Sequence, residues 1–592
     1  MSNTPAHRDW QDRIGQASGE IAAASRPDLE APTGLRAVPG AGAVTLTWDP
    51  VPGAIGYLVH RDGEPIGQPD VDVPAVPSCR YVDTGRGAAD YAVAAISAMD
   101  TIGPLSPAVE AGPAASAREV SVHVDARRTS GDLPRPWKLM VGSEHLSYLL
   151  NTEETGGRPI GEELTEALRI TRDELGVETV RAHGILCDDL GVYKQGNVYD
   201  FSGVDRVYDT VTGLGLRPVV ELGFMPRDLA ADPSKTVFGY EAIISPPKDF
   251  EAWGDLVRAL VEHLAARYGI HELIDHWAFE VWNEPNLAVF WSGTPEEYFL
   301  LYDVTAAAVK NVHPDLRVGG PASAANGWIE ELLAHVAESG AALDFLSTHT
   351  YGNAPLDWRP ALARHGRDIP IWWTEWGPTP THFHGIGDGP FGAAFLLHGM
   401  KSAAGRIGAL SHWVASDHFE ELGRPPRLFH GGFGLLTVGN LRKPRFHALA
   451  LAARLGDAEL PATLEGDVAG VEAWAARHDD GRIGVLLWNG TLNHSQATGA
   501  PELARTITLT VDGLDGRPRT LTHHRIDHDH STIEAVWHAM GGGDWPADEQ
   551  WDKLRAANTL DELDPPATVT GTGVTLRFDL PMPGVSFIEL SG

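Results

Sequence analysis

Two glutamates stand where this chain could do chemistry. Phe279-Glu280-Val281-Trp282-Asn283-Glu284-Pro285-Asn286-Leu287 reads as a buried strand running into Asn-Glu-Pro. Pro285 cannot donate to a sheet ladder, so the strand ends there and Glu284 sits at its carboxyl end. Ile371-Trp372-Trp373-Thr374-Glu375-Trp376-Gly377-Pro378 repeats the arrangement: an apolar strand, a glutamate, a breaker. Cleaving a bond between sugars needs a proton for the departing oxygen and stabilisation of charge at the anomeric carbon. Two carboxyls about 5–5.5 Å apart do both through a covalent intermediate; about 6.5–9.5 Å leaves room for water and gives inversion. Burial and mutual charge can keep one carboxyl protonated and the other ionised. A lone glutamate is more often an ion-pair or capping residue. A pair at strand ends, both ringed by tryptophan, points to the chemistry instead.

Such a pair needs a frame that brings several strand ends to one rim. From about residue 138 strands and helices alternate, which argues for parallel β-structure with crossover helices. Eight strands are expected: Lys138–Gly142, Glu178–His183, Arg217–Leu222, Trp277–Asn283, Leu316–Gly320, Asp344–His349, Ile369–Glu375 and Ala409–Ala415. Helical patterns fall at 161–175, 203–214, 249–268, 295–312, 326–338, 357–366, 391–405 and 444–455. This is an α/β chain whose core reads as a (β/α)8 barrel, and such barrels carry their chemistry at the carboxyl ends of the strands. Other strand ends add sugar-compatible groups to that rim: His183 and Asp189, Phe224, Asn283, His349 and Tyr351, Trp413, and Glu420 with Glu421. Hydroxyl partners and flat aromatic faces are what a sugar site uses.

The remaining sequence divides around the barrel. Residues 1–30 are polar and Ala-rich, with a short helix expected over 9–24. Residues 31–113 turn to short alternating strands, as in Val44-Thr45-Leu46-Thr47-Trp48-Asp49 and Tyr57-Leu58-Val59-His60-Arg61 before Asp62-Gly63, a hairpin signal. With Trp48 and Tyr91 so placed, the stretch resembles a fibronectin type III module. Gly112-Pro113-Ala114-Ala115-Ser116 reads as a linker between independent cores. Residues 114–137 hold a lead-in strand, 119–124, for an accessory β-sandwich. The barrel spans 138–455. Residues 456–592 form the rest of that sandwich, with strands at 471–475, 483–488, 505–511, 520–525, 574–579 and 585–590.

Composition bounds the partners. The chain has 592 residues and a net charge of −34, which disfavours nucleic acid and anionic membranes. It has no run of apolar residues long enough for a membrane span, and no basic-then-apolar leader pattern is visible. Cys79 and Cys187 are the two cysteines, assigned to different domains, so a disulfide framework is excluded and a reducing cytoplasm is expected. The partner expected is a small carbohydrate; no cofactor is called for, and a homo-oligomer is allowed. His382-x-His384 and the His/Asp-rich run 523–530 lack the spacing of a closed zinc site, so no metal is expected.

Long motifs make the chain familiar. His-Gly-Ile-Leu-Cys-Asp-Asp (183–189), Val-Glu-Leu-Gly-Phe-Met-Pro (220–226), Ser-Pro-Pro-Lys-Asp-Phe (245–250), the run 279–287 and Phe-His-Gly-Gly-Phe-Gly-Leu-Leu (429–436) resemble the β-xylosidases of glycoside hydrolase family 39. The likeness runs from about Trp137 to Leu590. It implies a retaining exo-glycosidase with Glu284 as acid/base and Glu375 as nucleophile. His183, Asn283, His349 and Tyr351 would face the sugar, and one of Glu420 and Glu421 would bind a hydroxyl. Another glycone such as an α-L-arabinoside, transglycosylation, or a non-catalytic carbohydrate-binding role are the alternatives. The chain departs from the family in its short connection from His349 to Glu375 and in Trp376-Gly377-Pro378 after the second glutamate. Both predict a wider site, with Trp376, His382 and His384 lining the gap.

Overall fold

Eight parallel strands close on themselves. They are β1 (Met140–Ser143), β2 (Thr179–Ala182), β3 (Arg217–Leu222), β4 (Ala278–Val281), β5 (Val318–Ser323), β6 (Phe345–Tyr351), β7 (Ile371–Gly377) and β8 (Ala409–His412). β8 returns to β1 through Val141 and His412. The computed structural model describes residues 16–19, 21, 26–67, 73–115 and 117–592. Met140, Val219, Ala278, Phe345, Trp372 and Ala409 plug the amino end of the barrel with apolar side chains. The polar residues of the lumen are thereby confined to the carboxyl end.

Local chemistry sets the helices. Thr294 and Glu297 form a reciprocal cap and Pro295 starts the helix Pro295–Val312. Asp249 accepts from the N–H groups of Glu251 and Ala252 at the head of Phe250–Tyr268. Gly176, at φ +72°, ends Ile160–Leu175 in the left-handed conformation that glycine adopts without penalty. A short helix, Ile270–His276, follows Gly269 and escaped the sequence pattern. So did Ile533–Ala539 and Asp548–Ala557, whose Trp537 and Trp551 pack on Leu428, Phe429 and Leu441 beside the loop after β8.

A bulge decides which way β7 points its chemistry. Trp372 faces the lumen plug, so strict alternation sends Thr374 and Trp376 inward and Glu375 outward. The pairing with β6 instead slips by one residue: Thr348 faces Trp373, but His349 faces Glu375. The extra residue, Thr374, turns Glu375 into the lumen and Trp376 out of it.

Two other bodies flank the barrel. Strand Glu119–Asp125 sits between Ala462–Gly466 and Arg505–Asp512, antiparallel to the first and parallel to the second. The resulting four-stranded sheet shares a core of Val122, Val485, Leu509 and Ile588 with a seven-stranded sheet. Residues 36–67 and 73–111 form a three-stranded and a five-stranded antiparallel sheet around Trp48, Tyr57 and Tyr91. The linker expected at 112–116 does not isolate them. Ile55, Leu58, Val73, Ala75 and Ile96 belong to the barrel's own hydrophobic cluster. Asn353 Nδ2 donates to the carbonyls of Val73 (3.1 Å) and Ala75 (2.8 Å), and the Asp357 N–H donates to Ile55 (2.8 Å). The short β6–β7 connection leaves that flank of the barrel bare, and Ile55, Leu58, Val73 and Ala75 cover it. The helix expected over 9–24 falls mostly outside the described residues; those within it, 16–19 and 21, are not helical.

Candidate active site

Glu284 and Glu375 meet at the carboxyl end of the barrel. One oxygen of each, with a ring nitrogen of His349, lies within 4.8 Å of the others. That falls on the side of a double-displacement pair rather than the wider separation of an inverting one. His349 Nδ1 is 2.9 Å from Glu284 Oε1, and its Nε2 is 3.0 Å from Thr374 Oγ1. Burial, then the charge of Arg181 and the neighbouring His183, holds His349 far below the usual histidine range, so the ring is neutral. A neutral imidazole suits either state of Glu284. It accepts at Nδ1 from the acid or donates there to the carboxylate, while the Thr374 hydroxyl reverses its role at Nε2. Glu284 is also left-handed, at φ +43°, and Trp282 at +70°. Such residues cost about 1–3 kcal/mol each and persist only where the surroundings over-determine them.

Both oxygens of Glu375 are held. Arg181 Nη1 donates to Oε1 (2.5 Å) and Tyr351 Oη to Oε2 (2.7 Å). Burial, then Glu375 and Glu284, pushes the Tyr351 phenol well above its usual value, so it remains a donor. Arg181 is fully buried and also reaches Glu280 Oε2, Asn283 Oδ1 and Glu221 Oε2, each at 2.8 Å. Burial alone would lower its pKa, but Glu221, Glu280 and Glu375 outweigh that and raise it. Burial also pushes the Glu221 carboxyl up to about 8, with Arg181 opposing only in part. Glu221 Oε2 is 2.7 Å from His183 Nδ1. Burial and then Arg181 drive His183 down to about 3, leaving a neutral ring.

The rim around this pair is aromatic and acidic. Trp413 lies 4.8 Å from the His183 ring and 5.5 Å from the Arg181 guanidinium. Phe224 packs beneath His183 and edge-on to Trp282. Of the two candidate acids after β8, Glu421 approaches the pair, its Oε1 3.4 Å from His183 Nε2. Burial, then Glu144, Glu375, Glu284 and Glu221, pushes its pKa well above the usual carboxylate value, which favours the protonated form. Its Oε1 has no hydrogen-bond partner among the described residues. Glu420 turns aside to Arg424, 3.2 Å away, and Asp189 is exposed and bonded to Ser147.

Two expectations fail for packing reasons. Trp376 does not line the site: the bulge turns it outward, where its Nε1 donates to the Asn353 carbonyl (2.8 Å) and its ring stacks on Phe395. His382 is wholly buried among Phe383, Phe419, His430 and Phe433 and borders no open gap, while the partly buried His384 packs near His494. Five residues at the heart of the site drew no role from the sequence: Arg181, Glu221, Glu280, Glu144 and Thr374. Period-two spacing from His183 and Glu284 marks Arg181 and Glu280 as lumen residues; Thr374 had no such signal. His523 and His530, in the other histidine run, bond to Ser586 (3.0 Å) and Asp527 (2.8 Å) in the flanking sheets.

A closed parallel barrel with a buried glutamate pair at its carboxyl rim defines a glycoside hydrolase. The model of the glycosyl hydrolases family 39 matches residues 120–363 and 357–573, and the chain belongs to that family. It is 32% identical over 467 residues to a β-xylosidase of Caldicellulosiruptor saccharolyticus, covering 74% of this chain and 92% of that one. A β-xylosidase of Geobacillus stearothermophilus is 32% identical over 457 residues, 71% of this chain and 86% of that one. The crystal structure of a monomeric β-xylosidase from Caulobacter crescentus CB15 superposes with a TM-score of 0.70 at 31% identity, over 80% of this chain and 99% of that one.

Proposed function

We propose that the chain is a retaining exo-glycosidase, a β-D-xylosidase acting on short oligosaccharides or glycosides. The observation that carries this is the carboxyl pair within 4.8 Å, each member held by its own hydrogen-bond partners. Glu375 attacks the anomeric carbon while Glu284 gives its proton to the departing oxygen, and a covalent glycosyl-enzyme forms. Glu284, now a carboxylate, takes a proton from water, and the hydroxide equivalent displaces Glu375. Arg181 and Tyr351 orient the nucleophile. His183, Asn283 and Trp413 read the bound sugar, and the protonated Glu421 donates to one of its hydroxyls. The likeness to the two bacterial β-xylosidases supports xylose as the sugar released.

The outer bodies follow as readings of the same chain. Residues 31–113 are a fibronectin type III-like module, supported by their two sheets and by Tyr91, whose hydroxyl donates to Asp83 (2.6 Å) across the fold. The segments 114–137 and 456–592 together form an accessory β-sandwich on the barrel, 138–455. The two unpaired cysteines, Cys79 and Cys187, support action in a reducing compartment. A 2-deoxy-2-fluoro-β-xyloside tests the mechanism: mass spectrometry should find the label on the peptide holding Glu375. A label on any other carboxylate removes Glu375 from the role.

A further inference from the structure

We infer that residues Gln16–Ser18 are an intramolecular brace that positions Glu284 for proton transfer; this rests on the acid/base role proposed above. The segment lies as a short antiparallel bridge along the loop that follows Glu284, with Ala17 opposite Leu287. The Gln16 carbonyl accepts from the Ala288 N–H (2.8 Å), and the Ser18 N–H donates to the Asn286 carbonyl (3.1 Å). Ser18 Oγ donates to the Pro285 carbonyl (2.7 Å). The barrel fixes the other side of the same loop. Glu284 N–H donates to Ala322, its carbonyl accepts from Leu287 N–H, and the Asn286 side chain bonds both ways to Ala324. Glu284 thus begins a loop clamped between barrel and segment.

The clamp has a purpose because Glu284 is left-handed without being glycine. That conformation relaxes unless neighbours enforce it. Relaxation would swing the carboxyl off the leaving oxygen, where small displacements are costly. The segment is itself anchored. Gly19 passes so close to Pro295 that a side chain there would meet the ring at 2.8 Å. Arg26 pairs with Glu331 on the helix Ile329–Ser339 and with Asp100 of the amino-terminal sheets, and Ser97 Oγ donates to the Pro27 carbonyl (3.2 Å). The sheets that cover the flank of the barrel therefore also hold the chain at Arg26 and Pro27, beyond the brace. Ser18 touches neither carboxylate of the pair, so it is a positioning residue.

Leaving-group dependence separates positioning from mere stability. Ser18→Ala removes the bond to Pro285; Ser18→Pro also removes the N–H that reaches Asn286. Both variants are made in the full chain and assayed on methyl β-xyloside, which needs the proton, and on 2,4-dinitrophenyl β-xyloside, which does not. In Ser18→Pro, kcat/KM on the methyl glycoside should fall about tenfold, while kcat/KM on the dinitrophenyl glycoside, which reports glycosylation alone, stays within about twofold. In a Glu284→Ala background, Ser18→Pro should add no further loss on the methyl glycoside. Equal losses on both substrates, a change confined to KM, or full additivity with Glu284→Ala would each overturn the brace. Should Ser18→Pro fail to fold, the milder Ser18→Ala must show the same selective loss, at least threefold, or the inference falls. Wild-type enzyme inactive on the dinitrophenyl glycoside would overturn the proposed function itself, which is a separate result.

Discussion

Replacing Arg181 by methionine should damage the protein through its charge balance more than through its volume. The guanidinium is fully buried and contacts Glu221, Glu280, Asn283 and Glu375 at 2.5–2.8 Å. Methionine fills similar space and supplies no donor. Removing one partner from a buried ionic cluster costs about 3–5 kcal/mol, because the remaining charges stay out of water. A barrel of about 300 residues has an unfolding entropy of about 0.6 kcal/mol/K, so the melting temperature should drop by about 5–8 °C at pH 7. The pH dependence gives the sharper check. Without its cation, the carboxyl cluster favours its protonated form, so its folded pKa moves above the unfolded one. Such groups stabilise the fold below the unfolded pKa and lose that contribution as pH rises through the folded value. Arg181→Met should therefore lie closest to wild type near pH 5 and furthest near pH 8, measured by thermal unfolding across that range. Arg181→Lys should rescue only part of the loss, since an ammonium cannot span four partners in a fork. A methionine variant melting within 1 °C of wild type at every pH would refute the view that this cation holds the site together.

Glu284→Ala should slow methyl β-xyloside by about 100-fold or more and activated aryl xylosides far less, and azide should restore turnover as a xylosyl azide. Values of kcat/KM on the two substrates check it; equal losses would remove Glu284 from the acid/base role. Glu472 tests a partly buried pair outside the site. Burial opposes its ionised form, but His398 at 2.5 Å, Lys401 and Arg80 prevail and hold it at about 2. A depressed carboxyl contributes above the unfolded pKa and loses that as pH falls toward the folded one, so Glu472→Gln should cost up to about 3 kcal/mol at pH 7 and progressively less from about pH 4.5 toward 2. Melting curves at pH 7 and pH 3 with equal gaps between variant and wild type would count against it. Removing residues 1–113 should lower the melting temperature and expose the apolar flank that Ile55, Val73 and Ala75 cover, read by dye binding and by light scattering. A truncated chain as soluble and active as the full one would show that flank to be self-sufficient.

The barrel was legible because its strands are near-continuous apolar runs bounded by breakers, which is how buried parallel strands read. β3 matched its expected span, while β5 lies further along, at Val318–Ser323 rather than Leu316–Gly320, since Gly319, Gly320 and Pro321 blur the pattern. Glu284 and Glu375 were visible from their breakers alone. The Arg181 cluster stayed hidden for want of pairing information: one sequence does not say which strand lies beside which. Trp376 was placed on the wrong side because an inserted strand residue leaves no mark in local hydrophobicity. The docking of the amino-terminal sheets was invisible for a related reason, as a Gly-Pro-Ala-Ala-Ser stretch looks the same whether the bodies it joins touch or not.

The slip in β7 makes the nucleophile a matter of counting. Rim loops can gain or lose residues and leave the pair intact, because a loop absorbs length by bulging into solvent. Between Trp372 and Glu375 the chain has no such freedom: one residue more or fewer exchanges the two faces and sends the carboxylate into the packing layer against Phe395. Single-residue insertions between Trp372 and Glu375 should therefore each abolish activity by sending Glu375 out of the lumen, while two-residue insertions retain the correct face. The reading frame of the site is written in parity, and a recombination boundary for shuffling this barrel belongs after Gly377 rather than within the strand.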